Sequence, residues 1–430
     1  MQAQFLFRCP PIGFGAECID VAEEARRGGL RTGGQLVADT LLAHGARRLF
    51  GVPGESYLPL LDALFDVRGQ LEMVTCRHEH GASMMAEAHG KLTGEPGICL
   101  VTRGPGACNA AIGVHTALQD STPMLLLIGQ VERRFLGREA FQEVDLAAMF
   151  RPLAKHAEQI DRIEELPSGI ARAWHLARSG RPGPVVLALP EDLLSEQAVV
   201  EDAPPLRLQP QHPEPELMQR LHDVLGKASR PVMLLGGGGW TEAARADILA
   251  FAEANGLPTC CGFRRHDIID NDHRWFVGEL GIVANPALVA RIKNADLLLA
   301  VGTRLGEITS QGYTLLGEGG PELAHVYPDS AEIGRVFRPA IAIPATIESF
   351  AAAARRLPSH GGGRWGEWAA AARRDYLADT EPFETVAKDK AVDLGAVMAH
   401  LRRALPNDAI VAVDAGNFSG WPQRFLRFGG

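Results

Sequence analysis

The most reactive group suggested by this 430-residue sequence is a glutamate that lies between two histidines. Arg77–His78–Glu79–His80–Gly81 follows an apolar stretch that predicts a strand, and small apolar residues come after it. A carboxyl group at the start of a buried helix loses part of its hydration, which raises its pKa and suits proton transfer. Alternatively, Glu79 only caps the helix, because a negative side chain is favourable at a helix N-terminus. The residues alone leave both interpretations open.

The two histidines beside Glu79 do not predict a metal site. Because His78 and His80 are two residues apart, they fall on different faces of a helix, and no third ligand is evident. The seven cysteines include no Cys-x-x-Cys pair. We therefore predict reduced thiols and no metal held by a dedicated cluster of protein ligands.

Other unusual turns also follow predicted strands. They are Val52–Pro53–Gly54–Glu55, Arg103–Gly104–Pro105–Gly106 with Asn109 one turn later, and Gly129–Gln130. In open parallel sheets, ligands sit outside the carboxyl ends of the strands. Small residues in these turns let a ligand approach the backbone closely. The sequence therefore predicts one ligand site built from several turns.

Two further segments carry weaker signals. Gly236–Gly239 follows a strand and precedes a helix, which suits either a phosphate loop or a tight structural turn. Phe263–Asp267 contains two arginines and suits either an anion site or a solvated loop. Both alternatives remain open for each segment.

The elements that position these turns alternate between helices and short apolar strands. Continuous apolar strands of this kind predict parallel sheets covered by helices on both faces. The predicted fold class is α/β, with successive doubly wound parallel-sheet domains. The clearest predicted strands are Leu49–Val52, Leu71–Cys76, Ile98–Thr102, Met124–Ile128, Val185–Leu189, Val232–Leu235, Asp296–Val301 and Ile410–Val413.

Changes in composition divide the chain into segments, and the alternation of helices and strands begins anew in three of them. The predicted divisions are an N-terminal extension (1–30), a first domain (31–200), a proline-rich linker (201–216), a central domain (217–357), a second linker (358–389) and an incomplete third domain (390–430). The last division is too short to bury a core of its own.

Charge and composition exclude several classes of function. The formal net charge is −9, and 46% of the residues are hydrophobic, so the chain predicts a globular protein. An acidic chain disfavours nucleic-acid binding. No apolar run is long enough to span a bilayer, and nothing at the start predicts a signal peptide. We therefore expect a cytoplasmic protein that binds a small molecule.

Taken together, the turns resemble those of the thiamine-diphosphate-dependent enzymes of the acetolactate synthase-like group. The resemblance covers about residues 33–430. It implies three domains, which are a pyrimidine-binding domain, a central domain and a diphosphate-binding domain. It rests on Phe50–Gly54, Arg77–Ala82, Gly104–Gly106 with Asn109, Asp120–Pro123 with Gly129–Val131, and Ala140–Glu143 with Lys155–His156.

This resemblance implies roles for individual residues. Glu79 matches the glutamate that hydrogen-bonds the aminopyrimidine N1′ of the cofactor and so assists removal of the thiazolium C2 proton. Pro53, Gly54 and Asn109 match turns around the pyrimidine. Phe141, Gln142 and Lys155 match a segment that reaches towards the partner subunit's active site in the family, with Gln142 and Lys155 as catalytic residues. A homodimer or homotetramer with active sites between subunits is implied.

The sequence also departs from the family's pattern. Gly416–Asn417–Phe418 stands where the family has Gly-Gln-His at the diphosphate, which puts the contacts of Gly416 and Asn417 in doubt. No Gly-Asp-Gly motif for Mg²⁺ and the diphosphate occurs in the 430 residues. His80 stands where many relatives have glutamine. Bound FAD is possible but not favoured. We therefore expect a C-terminally truncated chain.

The function implied by the resemblance is decarboxylation of a pyruvate-like 2-oxo acid and transfer of the remaining unit to an acceptor, with no activity of this chain alone. One alternative is a non-catalytic paralogue that pairs with a full-length partner. Another is a different reaction on the same cofactor, of the oxalyl-CoA decarboxylase or sulfoacetaldehyde acetyltransferase type, for which Arg264–Arg265 is the only hint of an anion site.

Overall fold

The computed structural model describes residues 29–383 and 392–429. It divides into two compact units, the first running through residue 178 and including residues 183–207, the second comprising residues 179–182 and those from 208 onwards. The division falls inside the proline-rich stretch 201–216. Most of the predicted N-terminal extension, residues 1–28, lies outside the described residues.

The first unit contains a six-stranded parallel sheet and a two-stranded antiparallel ribbon. The strands of this unit are β1 (Leu30–Thr32), β2 (Arg48–Gly51), β3 (Glu72–Thr75), β4 (Gly97–Val101), β5 (Met124–Gln130), β6 (His156–Gln159), β7 (Pro184–Pro190) and β8 (Gln197–Val199). The order of strands in the sheet is β3-β2-β4-β5-β7-β6, and the ribbon pairs β1 with β8. Strands β4, β5 and β7 are buried along their whole length, which explains their continuous apolar sequences.

Helices cover both faces of this first sheet. They are α1 (Gly33–Ala43), α2 (Leu58–Asp66), α3 (Glu79–Thr93), α4 (Gly104–Asp120), α5 (Leu146–Phe150), α6 (Leu166–Arg178) and the short α7 (Glu191–Ser195). Helices α1, α2 and α6 share one apolar core with alternate strand residues, and α3, α4 and α5 share the other. Successive residues of a strand therefore enter opposite cores, as a two-residue period requires.

One predicted turn of the first unit is part of a strand. Gly129 and Gln130 were expected to follow the fourth strand as a turn, but β5 extends through Gln130. The reason is that β7 is long enough to continue the pairing, with Gly129 opposite Leu189 and Gln130 opposite Pro190.

The second unit contains another six-stranded parallel sheet, in the order β11-β10-β9-β12-β13-β14. Its strands are β9 (Pro231–Leu235), β10 (Thr259–Gly262), β11 (Phe276–Leu280), β12 (Leu297–Val301), β13 (Glu322–Tyr327) and β14 (Ile341–Pro344). Chain order runs outwards in both directions from β9 and β12, so this sheet is doubly wound with its switch point between those two strands. The predicted α/β fold class is confirmed.

Helices α8 (Pro215–Lys227), α9 (Glu242–Asn255), α10 (Pro286–Lys293), α11 (Ile347–Arg355) and α12 (Gly366–Asp379) flank the second sheet. Helix α12 lies within the predicted linker 358–389, so that part of the prediction is wrong. Three aromatic side chains fix this helix against the unit. Trp365 Nε1 donates to the Ala228 carbonyl at 3.0 Å, Trp368 Nε1 donates to the Pro231 carbonyl at 3.0 Å, and Tyr376 packs edge-on against a buried phenylalanine.

Described residues 392–429 also belong to the second unit and contain α13 (Leu394–Ala404) and α14 (Gly420–Phe425). The strand predicted at Ile410–Val413 does not form, because no neighbouring strand pairs with it among the described residues. Ile410 is 97% exposed, while Val411 packs beside the buried Met398 and Phe425. Within the described part of the chain, no helix is both long and apolar enough to cross a membrane.

Candidate functional site

The first sheet brings three of the predicted turns to one edge. Strands β3, β2 and β4 are neighbours and run parallel, so the turns that follow them meet at their carboxyl ends. These turns carry Glu79 after β3, Pro53 and Gly54 after β2, and Gly104 after β4. The switch point of this sheet lies between β2 and β4, which is where ligands bind in open α/β sheets.

Glu79 is linked directly to Asn109, which the sequence placed in a different turn. Asn109 Nδ2 donates a hydrogen bond to Glu79 Oε2 at 3.0 Å. Glu79 is half-buried and is the first residue of α3, where the helix dipole favours a carboxylate. His78 supplies the cap of this helix, since its Nδ1 accepts from the His80 backbone N–H at 3.1 Å. The Glu79 side chain therefore points to α4 and keeps one oxygen, Oε1, for another contact.

A close approach between α3 and α4 positions this pair. A Cβ built on Gly113 would lie 2.5 Å from Ser83 Cβ and 2.7 Å from the Ser83 carbonyl carbon, so only glycine fits there without a shift. Ser83 is one turn after Glu79, and Gly113 is one turn after Asn109. The contact between Ser83 and Gly113 in the second turns of α3 and α4 thus holds the first turns close enough for Asn109 to hydrogen-bond Glu79.

The wall beside Glu79 is made of small residues. A Cβ on Gly106 would lie 3.0 Å from Thr102 Cγ2 and 3.5 Å from Glu79 Oε1, and a Cβ on Gly54 would lie 2.7 Å from Thr102 Cβ. Side chains at the two glycines would therefore crowd Thr102, and at Gly106 would also reach Glu79. Tyr57 lies beneath this wall and donates to the Val52 carbonyl; burial raises the pKa of its hydroxyl, and Glu79 adds to that shift.

Arg103 connects the turn after β4 to the turns after β2 and β7. This role was not predicted from the sequence. Its Nη1 donates to Glu55 Oε1 at 2.9 Å, and its Nη2 donates to Glu191 Oε2 at 3.1 Å. The Arg103 side chain is 9% exposed, so one largely buried guanidinium connects the turns after β2, β4 and β7 through carboxylates that are themselves more exposed. The only signal in the sequence is an arginine next to Gly-Pro-Gly at the end of a buried strand.

Gln142 lies beside the Gly104 turn, but Lys155 does not. The Gln142 carbonyl accepts from the Gly104 backbone N–H at 3.0 Å, and Gln142 adopts a left-handed φ of 65°. Phe141 is 76% exposed. Lys155 precedes β6, and its backbone N–H donates to the Pro184 carbonyl at the start of β7. It therefore lies at the amino edge of the sheet, away from Glu79 of the same chain, and its predicted role across a subunit interface stays a prediction.

Gly416 and Asn417 lie in the second unit, and both are exposed. Gly416 has a φ of 152°, within the range that favours glycine, and the neighbouring Asp414 Oδ1 accepts from the Ala415 backbone N–H at 2.7 Å. Over the described ranges, no three His, Cys, Asp or Glu side chains form a group that could hold a metal ion. The predicted contacts of Gly416 and Asn417 with a diphosphate stay predictions.

The fold and the turns first define a class of protein. It has two parallel α/β units, and the first unit presents a hydrogen-bonded glutamate–asparagine pair next to glycines at the carboxyl edge of its sheet. Residues 31–149 match the family model described as "Thiamine pyrophosphate enzyme, N-terminal TPP binding domain". Residues 218–354 match "Thiamine pyrophosphate enzyme, central domain". The two matched segments fall one in each structural unit.

Proteins with similar sequences identify the family to which the chain belongs. "Acetolactate synthase isozyme 2 large subunit" of Escherichia coli is 30% identical over 92% of this chain and 70% of its own length. "Probable acetolactate synthase large subunit" of Methanocaldococcus jannaschii is 32% identical over 72% of this chain, and isozyme 3 of Escherichia coli is 35% identical over 65%. The chain belongs to the thiamine-diphosphate-dependent enzyme family that includes the acetolactate synthase large subunits. The matches span 53% and 50% of the latter two relatives.

Proposed function

We propose that this chain binds the aminopyrimidine end of thiamine diphosphate at Glu79 and represents the pyrimidine side of an acetolactate synthase-type active site. The observation that carries this proposal is the hydrogen bond of Asn109 to Glu79 Oε2, which leaves Oε1 facing the Gly106 wall. A planar heteroaromatic ring suits a wall lined by glycines, because the lack of side chains there lets the ring lie close to the backbone.

Thiamine diphosphate, when bound, supplies an electron sink for cleaving the bond next to a carbonyl group. The residues of the chain bind and orient it. Glu79 would share a proton with the pyrimidine N1′, and Asn109 would fix the carboxyl group so that this proton lies on Oε1. Gly54 and Gly106 would leave room for the ring. Pro53, next to Gly54, would stiffen that turn. The intact reaction would decarboxylate a pyruvate-like 2-oxo acid and transfer the remaining unit to an acceptor.

The diphosphate end of the cofactor does not fit the described residues equally well. A Mg²⁺ ion that bridges phosphates needs several carboxylate or amide oxygens in near-octahedral geometry. Asp414 and Asn417 do not supply such a set, and Asp414 Oδ1 is engaged by a backbone N–H. We therefore propose weak cofactor binding and no turnover by this chain alone, and we derive no step through the metal.

Bound FAD is not part of this proposal. The glycine turn at the end of β9 is the natural place for a dinucleotide in the second unit. Arg265 Nη1 donates to the Gly237 carbonyl in that turn, and its Nε and Nη2 bond Asp267. Because Arg265 is engaged in this way, its guanidinium does not support binding of an oxalyl-CoA or sulfonate substrate.

A non-catalytic paralogue that pairs with a full-length partner is the second candidate. The observation that favours it is that, in the part of the chain that the structure describes, no three His, Cys, Asp or Glu side chains could hold a metal ion, whereas the first unit does contain the hydrogen-bonded Glu79–Asn109 pair. Such a chain would copurify with a complete family member and would not consume pyruvate. For the main proposal we expect a homodimer or homotetramer in the cytoplasm with active sites between subunits.

Saturation-transfer NMR with thiamine diphosphate tests the proposal directly. We expect transfer from the protein to the pyrimidine protons of the cofactor, and loss of that transfer in Glu79→Gln. Glu72→Gln is the matched control, because Glu72 belongs to the same unit but lies exposed and paired with Arg48 at 2.7 Å. Equal transfer in wild type and Glu79→Gln would refute the assignment of Glu79. Micromolar binding in a calorimetric titration with Mg²⁺ would refute the proposed weakness of the diphosphate end.

A further inference from the structure

The second unit contains an open cavity of about 700 Å³ that no part of the proposed function uses. It is enclosed by the residues that follow α12, by α13 and by the residues that follow α14. Three arginines line it, Arg402 and Arg403 on α13 and Arg427 after α14. Glu381 is the carboxylate of the lining; it is 75% exposed and lies 3.9 Å from Arg402. The lining therefore carries a net positive charge, although the whole chain carries −9.

The guanidiniums of this cavity lie near like charges. Burial lowers the pKa of Arg402, and the charge of Arg427 adds to that shift. Burial also lowers the pKa of Arg373 on α12, and Arg427 again adds to the shift. The carboxylate paired with Arg427 is Asp272, which is 62% exposed and therefore compensates the charge only weakly. An anion bound among the guanidiniums would relieve this repulsion.

The same arginines keep hydrogen-bond donors for a ligand. A guanidinium has five N–H groups. Arg402 Nη1 donates to the Thr380 carbonyl at 2.8 Å, and Arg427 Nη1 donates to Asp272. Arg427 Nε is buried and has no hydrogen-bond partner among the described residues. Because a buried donor without an acceptor is unfavourable, an oxygen ligand that reaches this end of the cavity would stabilise it.

The remaining lining of the cavity is apolar. Phe383 is 50% exposed, and Pro382, Ala396 and Ala399 lie around the same cavity. A Cβ on Gly395, in the first turn of α13, would overlap the Phe383 carbonyl oxygen. Only glycine therefore lets α13 approach the Phe383 segment so closely. A cavity with cations on one side and apolar groups on the other suits a ligand that carries both kinds of surface.

We propose that this cavity binds a small organic anion. Its phosphate or carboxylate group is held by the three arginines, and its apolar body covers Phe383. The planar guanidinium fork matches the oxygens of both acid groups, which makes arginine well suited to bind either of them. The cavity lies in the second unit and Glu79 in the first, so the inference goes beyond the proposed function and does not depend on it.

Saturation-transfer NMR of the full chain with phenyl phosphate tests the site. We expect saturable transfer to the phenyl protons and much weaker transfer to benzyl alcohol, which has a similar body without the charge. Competition by benzoate and by inorganic phosphate shows which acid group the arginines prefer.

Two variants locate the binding. Arg403→Met removes one charge, and Ala399→Phe fills the cavity without changing its charge; each should raise the dissociation constant for phenyl phosphate about 10-fold. Arg374→Met is the matched control, because Arg374 is 64% exposed on α12, pairs with Glu367 at 3.3 Å and does not line the cavity. Circular dichroism of the variants separates lost binding from lost folding.

Each outcome decides the proposal. Absence of saturable transfer in the wild type, or equal transfer to benzyl alcohol, would overturn the anion site. Binding that is unchanged in both Arg403→Met and Ala399→Phe would do the same, and so would equal weakening in Arg374→Met, which would show a general effect of charge. Glu79→Gln should bind phenyl phosphate like the wild type. Repeating the thiamine diphosphate experiment in the Arg403→Met background keeps the two sites apart, so either proposal can fail while the other stands.

Discussion

Replacing Gly113 with alanine tests the contact that brings the site together. In a helix interior, alanine is more favourable than glycine by about 1 kcal/mol. Against this, the new methyl group would lie 2.5 Å from Ser83 Cβ and 2.7 Å from its carbonyl carbon. Neither atom can rotate away, so we take the upper end of the overpacking cost, about 3 kcal/mol. The expected net loss is about 2 kcal/mol in the free energy of unfolding.

Thermal unfolding followed by circular dichroism measures this loss. At about 2–4 °C per kcal/mol, Gly113→Ala should lower Tm by about 4–8 °C. Gly81→Ala is the matched control, because Gly81 also lies in a helix but has open space around its Cβ position. The same substitution there should raise Tm by about 2–4 °C.

A second substitution identifies the clashing partner. In the Gly113→Ala background, Ser83→Gly removes the Cβ that the new methyl group meets, so it should recover part of the lost Tm. We expect a coupling free energy of about 1–3 kcal/mol between the two positions in a double-mutant cycle. If Gly113→Ala stabilises the protein as Gly81→Ala does, the close approach of α3 and α4 is wrong, and with it the account of how Glu79 meets Asn109.

Three further predictions concern stability. Burial lowers the pKa of His325, so below about pH 6.5 the unfolded chain binds a proton that the folded chain does not. The free energy of unfolding should therefore fall as the pH drops through about 6.5, by at most about 1.4 kcal/mol per pH unit. Urea unfolding of His325→Gln should show a flatter pH profile. Trp365→Phe leaves the buried Ala228 carbonyl without its donor and should cost about 1–3 kcal/mol in urea unfolding; an unchanged midpoint would show that α12 does not depend on this bond. Arg103→Met should cost about 1–2 kcal/mol, whereas Arg48→Met, which breaks an exposed ion pair, should change stability by less than about 0.5 kcal/mol; equal effects would contradict the joining role of Arg103.

The sequence predicts the sheets better than the segments around them. Buried parallel strands such as β4 and β5 are recognisable because both faces must be apolar, which gives continuous runs. Strand β13 lacks that signal, since it begins with Glu322 and contains His325, whose ring finds a carbonyl partner only in the folded unit. Helix α12 was not predicted because glycines and a proline precede it. Its burial depends on contacts of its own aromatic side chains with residues distant in the sequence, such as Ala228 and Pro231.

The candidate site shows the same division. Glu79, Gly54 and Asn109 could be predicted because each follows a strand, and parallel strands end at a common edge. The roles of Ser83 and Gly113 could not, since they depend on the distance between two helices. Ile410–Val413 shows the opposite error. Its residues favour a strand, but a strand needs a neighbour to pair with, and apolar alternation does not supply one.

The order of strands in the second sheet has a consequence for synthesis on the ribosome. Strand β9 pairs with β12, where Pro231 faces Leu297, a separation of 297 − 231 = 66 residues. At about 5–20 residues per second, β9 emerges about 3–13 s before that neighbour exists. During this interval β9, which is buried along its whole length in the folded unit, has only β10 to pair with on one side. Slowing translation between residues 235 and 297 would therefore lengthen the time during which the edge of β9 that β12 covers in the folded unit stays exposed in the nascent chain.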